Sequence, residues 1–184
     1  MKALERGMKG LPKNFIMGII ASNDNYDDVN ISLLKILNKK KPKGVYVCIN
    51  KPYSHLSTIL ESKGIDISKM SFIDCITKSA GIHAPKSGNC TFVNSPGHLT
   101  DLNLELNNIL HLPSKEERFV YMDSLSTLRM HNTPEQVFRF MHYLTGRIRV
   151  FGLSGLMLSI EDKEEKGKSL ALKLSHLYDR TIRL

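Results

Sequence analysis

No apolar run in these 184 residues approaches the ~20 needed to cross a bilayer. The basic start, MKALERGMKGLPKN, is followed by a short apolar stretch without a small-residue cleavage pattern, so no signal peptide is expected. Cysteine is scarce. Cys48, Cys75 and Cys90 are odd in number, widely spaced, and set in or beside apolar segments. They form no C-x-x-C pair and have no neighbouring histidine pair, which excludes zinc-finger spacing and predicts buried thiols in a reducing cytoplasm. The seven histidines, at 55, 83, 98, 111, 131, 142 and 176, show no H-E-x-x-H or comparable spacing, so no metal site is expected. There is no internal repeat, low-complexity tract or linker. One domain over 1–184 is expected, long enough to bury a core without disulfides.

What is present begins with charge. The net charge is +8, and its densest run is Lys39, Lys40, Lys41, Pro42 and Lys43, placed where a helix should end and a strand begin. Cations favour a helix C-terminus and proline stops a helix, so a solvated turn is the simplest reading. A nucleic acid or acidic partner is the alternative for such a patch. No aromatic residues interleave with this basic run to make a single-strand stacking platform.

Apolar strand-like segments recur at 15–21, 45–50, 72–76, 90–93, 119–123, 155–160 and 180–184. Most are continuously apolar, as in sheets covered on both faces. Helix-period segments separate many of them: Leu56, Ile59 and Leu60 after Ser54, then Leu102, Leu106, Ile109 and Leu110 after Thr100. The best-marked helix starts at Thr133, with Pro134 at its first position and Gln136 completing a capping box. Leu170, Leu172, Leu174 and Leu177 suggest a last helix, while 78–89 and 161–168 lack periodicity and read as irregular. This alternation predicts an α/β fold, three layers αβα around a mostly parallel sheet.

The segment 15–37 reads as strand, polar loop and amphipathic helix, the arrangement that carries G-x-x-x-x-G-K-[ST] where a triphosphate is cradled. On that template Ala21 and Tyr26 stand for the glycines, Asp27 for the lysine and Asp28 for the Ser/Thr, with Ser22, Asn23, Asp24 and Asn25 between. Taken alone, this is an ordinary capped helix start, whose two carboxylates complement the helix dipole and would repel phosphate. The strand RFVYMDSLSTL ends in Asp123 and Ser124, at the sheet edge where ligands collect. Asp123 there can hold magnesium through water beside a nucleotide, or simply cap the next turn. GLSGL at 152–156 is no nucleophile elbow, because Leu156 replaces the final glycine and the segment enters a strand.

These segments, in this order, resemble the RecA-like ATPases and within them the KaiC-type domains common in archaea. GVYVCINKPYSHLSTILESKGIDI is similar to their second strand, helix and turn, and FVNSPGHLTDLNLELNNIL to the segment before their Walker B strand. FVYMDSLSTL matches that strand, with Asp123 at the metal-associated acid; FRFMHYLTGRIRVFGLSGLMLSIED and LYDRTIRL resemble the long helix and closing strands. The resemblance implies a strand between 15–21 and 119–123, which chain order assigns to 155–160. It also locates the family's paired catalytic acids at Asn50 and Lys51, neither of which can act as a carboxylate base. The expectation is therefore a pseudo-ATPase, a protein-binding or regulatory module with no catalytic residues and no cofactor. Its implied partners are an active relative, another protein or a second copy. Tyr53 is a candidate contact and Tyr26 either a contact or a packed plug of the vacated nucleotide site. The rival is residual binding of ATP and magnesium by Asp123, Ser124 and the 22–25 loop. A third reading is nucleic-acid binding through Lys78, Lys86, Arg147 and Arg149, though they match no specific signature.

Overall fold

The computed structural model describes residues 2–40, 43–85, 87–112, 116–161 and 170–184. Its elements are α1 (Lys2–Met8), β1 (Ile16–Ala21), α2 (Tyr26–Lys40), β2 (Lys43–Cys48), α3 (Tyr53–Ser62), β3 (Met70–Asp74) and β4 (Cys90–Phe92). They continue as α4 (Leu99–Leu110), β5 (Arg118–Asp123), α5 (Leu125–Met130), α6 (Pro134–Val150), β6 (Ser154–Ile160), α7 (Leu170–Leu174), a 3₁₀ turn (Ser175–Leu177) and β7 (Arg180–Arg183). Seven strands form one sheet in the order β4-β3-β2-β5-β6-β1-β7, and every neighbouring pair is parallel. The strand β6 does separate β1 from β5, as the resemblance implies.

Side-chain alternation divides the interior into two cores. Val45, Val47, Val120 and Met122 point to the side covered by α4, α5 and α6, where Leu106, Leu128, Met141 and Leu144 meet them. Tyr46, Cys48, Phe72 and Tyr121 point to the side of α2 and α3, against Val29, Leu33, Leu56 and Leu60. Each such buried side chain contributes on the order of 1.5–3 kcal/mol. Because both faces are covered, the strands carry apolar residues at successive positions. At Gly44, an added Cβ would lie 2.2 Å from the Phe119 ring, so that close approach of β2 and β5 excludes a larger residue.

The start of α6 has the expected capping box: Thr133 Oγ1 accepts the Gln136 N–H at 3.2 Å and Gln136 Oε1 accepts the Thr133 N–H at 2.8 Å. Such a cap contributes about 1 kcal/mol. Two short helices, α1 and α5, carry too few periodic residues to be read from sequence. The basic run divides between the end of α2 and the start of β2, with Lys39 paired to Glu5 of α1 at 3.5 Å. Residues 41 and 42 of that run, Lys86, and 162–168 of the charge-rich segment lie outside the described residues. Among those described, no helix is long and apolar enough to cross a membrane.

Candidate functional site at the carboxyl ends of the strands

The loop after β1 is a tight turn: Ser22 O accepts the Asn25 N–H at 3.3 Å, and Asn25 O accepts the Val29 N–H at 2.9 Å, which starts α2. Ala21 is buried, Ser22 and Asn25 are half-buried, and Asn23 and Asp24 are exposed. Tyr26 opens α2 but turns inward, 5% exposed in the core beneath the helix. It is packed away from solvent, so a surface contact through this ring is not what the fold presents. Asp27 and Asp28 stay outside in the first helical turn. The Lys51 ammonium pairs with Asp27 and lies 5.7 Å from the Tyr26 ring centroid. Beside it Asn50 is half-buried just beyond β2. Asp27 and Lys51, which align separately with the phosphate-loop lysine and with one of the paired acids, are thus joined to each other.

Tyr53 is half-buried at the first position of α3. Its ring stands 4.9 Å from Phe72 and its hydroxyl donates to Asn89 Oδ1 at 2.8 Å. Ser124 is fully buried and caps α5, accepting the Thr127 N–H at 3.3 Å. The cap is therefore Ser124 and not Asp123; the peptide joining them is cis.

Asp123 sits at the end of β5, 1% exposed, inside a network that sequence reasoning missed. Its Oδ2 accepts the Tyr46 hydroxyl and, at 3.1 Å, the Asn30 amide. The same amide donates to Tyr46 Oη at 2.9 Å, and the Tyr121 hydroxyl donates to Asn30 Oδ1 at 2.9 Å. The Tyr46 and Tyr121 rings stack with centroids 4.8 Å apart. Register explains the assembly: Tyr46 pairs with Tyr121 and Cys48 with Asp123, so all four point to the α2 side. Burial pushes the Asp123 carboxyl up to about 8, and pushes both tyrosines above their usual range. The other oxygen, Asp123 Oδ1, is buried without a partner among the described residues, as are Asn25 Oδ1 and Tyr26 Oη. One signal in the sequence could have found the network: Asn30 lies one turn after Tyr26, a polar residue on the buried face of an amphipathic helix.

Asp74, at the end of β3, was also missed. Its Oδ1 accepts the N–H groups of Ile76 and Thr77 at 2.7 and 2.9 Å; its Oδ2 accepts the Tyr53 N–H and the Thr77 hydroxyl at 2.8 and 2.7 Å. The three cysteines are free and buried; burial raises all three thiols, Cys90 to about 12, so none is poised as a thiolate nucleophile. Among the described residues, no three His, Cys, Asp or Glu side chains gather as metal ligands.

A family model described as a family of unknown function (DUF7504) matches residues 34–184. The chain belongs to this family. The match begins inside α2, after the 22–25 loop, and includes Asn50, Lys51, Asp123 and Ser124. A comparison with curated proteins finds no match. Among solved structures, the chain is similar to a KaiC-like protein from the hyperthermophilic archaeon Pyrococcus horikoshii, with a TM-score of 0.61 at 13% identity over 95% of this chain and 73% of that one. That likeness establishes a RecA/KaiC-like fold for this DUF7504 member.

Proposed function

We propose that this DUF7504 chain is a RecA/KaiC-like domain that does not turn over ATP and works as a protein-binding or regulatory module. The observation that carries the reading is the state of Asp123. In the family pattern this acid serves a magnesium ion; here its carboxyl is enclosed by Tyr46 and Asn30 and holds its proton up to about pH 8. A neutral, enclosed carboxyl is a poor ligand for a hard divalent cation, which favours charged or strongly polar oxygens.

The surroundings support the same reading. A phosphate at the start of α2 would meet Asp27 and Asp28, and the inward Tyr26 ring stands where the template has glycine. Lys51 offers an ammonium already paired with Asp27, and no carboxylate base follows β2 at Asn50 or Lys51. These residues do not fit a magnesium nucleotide. A module of this kind would act by docking against a partner, such as a relative with an intact phosphate loop, and altering its turnover or assembly.

A second reading is favoured by the unpartnered acceptors Asp123 Oδ1 and Asn25 Oδ1, which leave capacity for a donor or cation. Calorimetry with ATP at millimolar concentration, with and without magnesium, separates the two. No magnesium-dependent heat and no hydrolysis above buffer is the expected outcome. Saturable binding that disappears in Asp123→Ala would overturn it in favour of residual nucleotide binding.

A further inference from the structure

The helix α6 buries Val137, Phe140, Met141, Leu144 and Ile148 as one stripe. Its outer side should then be polar, as for any helix lying between a core and water. Instead Phe138 and Tyr143 are 38% and 42% exposed there, and Val150 is exposed too. The same helix carries Arg139, Arg147 and Arg149 against a single acid, Glu135.

In the C-terminal half of this face the cations already have neighbours, although Arg147 Nε is buried without a partner among the described residues. Arg147 lies 4.8 Å from the Phe151 ring centroid and 5.8 Å from that of Tyr143, and meets His111 Nε2 at 3.2 Å. Arg149 pairs with Asp179 at 3.1 Å. Cations there also complement the negative end of the helix dipole.

The N-terminal half is different. A cavity of about 440 Å³ opens between α6 and α7, lined by Pro134, Glu135, Phe138, Arg139, Leu170 and Lys173. Pro134, Phe138 and Leu170 supply apolar surface. Arg139 donates only to the Glu135 carbonyl, from Nε at 3.4 Å, and neither Arg139 nor Lys173 has a carboxylate partner among the described residues. Among the described residues, Glu135 is the one acid in the lining.

We propose that this cavity receives an apolar side chain from an acidic peptide segment of a protein partner. Phe138, Pro134 and Leu170 would hold the side chain, and Arg139 and Lys173 would meet the carboxylates flanking it. This rests on the reading of the chain as a protein-binding module, and supplies that reading with a surface and a partner chemistry. Interfaces take most of their energy from a few anchors seated in apolar pockets, and rim cations such as Arg139 and Lys173 steer an acidic partner to this one. A single-stranded nucleic acid fits less well, because it needs free ring faces in a row, and the guanidinium of Arg147 already lies against the Tyr143 and Phe151 rings.

The test is an immobilised array of peptides of about ten residues, acidic, neutral or basic, each with and without one Phe or Leu, probed at physiological salt because buried anchors outlast screened rim charge. The protein should retain acidic peptides that carry the apolar residue. Phe138→Ser and Arg139→Glu should each weaken retention at least about tenfold, the loss of roughly 1.4 kcal/mol expected at an anchor. Both sites are exposed, and melting curves check that each variant folds; Lys173→Glu gives the same readout should one fail. Undiminished retention by Phe138→Ser, indifference to the apolar residue, or a preference for basic peptides would overturn the proposal. So would tighter capture of single-stranded oligonucleotides that these substitutions abolish. The nucleotide calorimetry fails or succeeds independently: ATP turnover would sink the proposed function and leave a selective array result standing.

Discussion

Two carboxylates at the ends of strands on either side of β2 have opposite fates. Asp74 and Asp123 are 0% and 1% exposed, and both follow apolar strands. Asp74 accepts four hydrogen bonds shared over both oxygens, three of them from backbone N–H groups, and so ties the start of α3 to the turn after β3. Asp123 accepts two, both on Oδ2, and its Oδ1 has none among the described residues. Burial alone therefore does not distinguish an acid that the chain satisfies fully from one left with an unpartnered oxygen. The distinction lies in whether the surrounding chain satisfies the whole carboxylate or leaves one oxygen to something else.

The largest effect expected from this contrast is on removing Asp74. Asp74→Ala strands the N–H groups of Tyr53, Ile76 and Thr77, each losing a bond to a charged acceptor. The fold should lose about 2–3 kcal/mol by urea denaturation: the Thr77 donor is buried, where an orphan costs about 1–3 kcal/mol, and the half-buried donors of Tyr53 and Ile76 add less because water can reach them. A loss below about 1 kcal/mol would mean that those donors find water and that the contrast is illusory.

An effect of a different kind, with a distinct pH signature, is expected at Asp123. Below about pH 4 the carboxyl is protonated in both the folded and unfolded chain, so it contributes no slope. Between there and about 8 the unfolded chain releases the proton while the fold retains it, so stability falls as pH rises. Above about 8 the slope ends. Asp123→Asn keeps an acceptor for Tyr46 and Asn30 and removes the titration. Its stability relative to the wild type should therefore improve steadily from acid to mildly alkaline pH in urea melts. A constant difference across that range would show that Asp123 is ionised in the fold.

The smallest effect belongs to the exposed partner of this region. Asp27 is 72% exposed where it pairs with Lys51, so screening leaves little net energy in the contact. Lys51→Met should change stability by under about 1 kcal/mol, in contrast to either buried acid. A larger loss in thermal melts would give this pair a structural weight that its exposure does not predict.

The strands were legible because parallel strands covered on both faces announce themselves as apolar runs, and of their order one part, 155–160 between 15–21 and 119–123, could be placed by resemblance. The network around Asp123 was not legible. It depends on Tyr46 and Tyr121 falling in register on neighbouring strands and on Asn30 reaching them from a helix, three residues whose separations in sequence follow no motif. Tyr26 shows the same limit. Its position was apparent from the template, but its inward direction depends on how α2 lies on the sheet. Lys51 and Asp27 could be aligned separately with family positions; only the fold brings the reversed charges together.

The strand order also governs when the parts can come together. β1 precedes β2 to β5 in the chain, yet both its neighbours follow them: Ile16 pairs with Gly155, and Met17 pairs with Arg180. Strands β2, β3 and β5 can begin their ladder much earlier. Until β6 arrives, the six apolar residues of β1 have no ladder partner and depend on the helices around them for cover. Such distant pairings slow folding and prolong exposure of an adhesive strand. A nascent chain that stalls before β6 therefore carries β1 as an apolar strand with neither ladder partner in place.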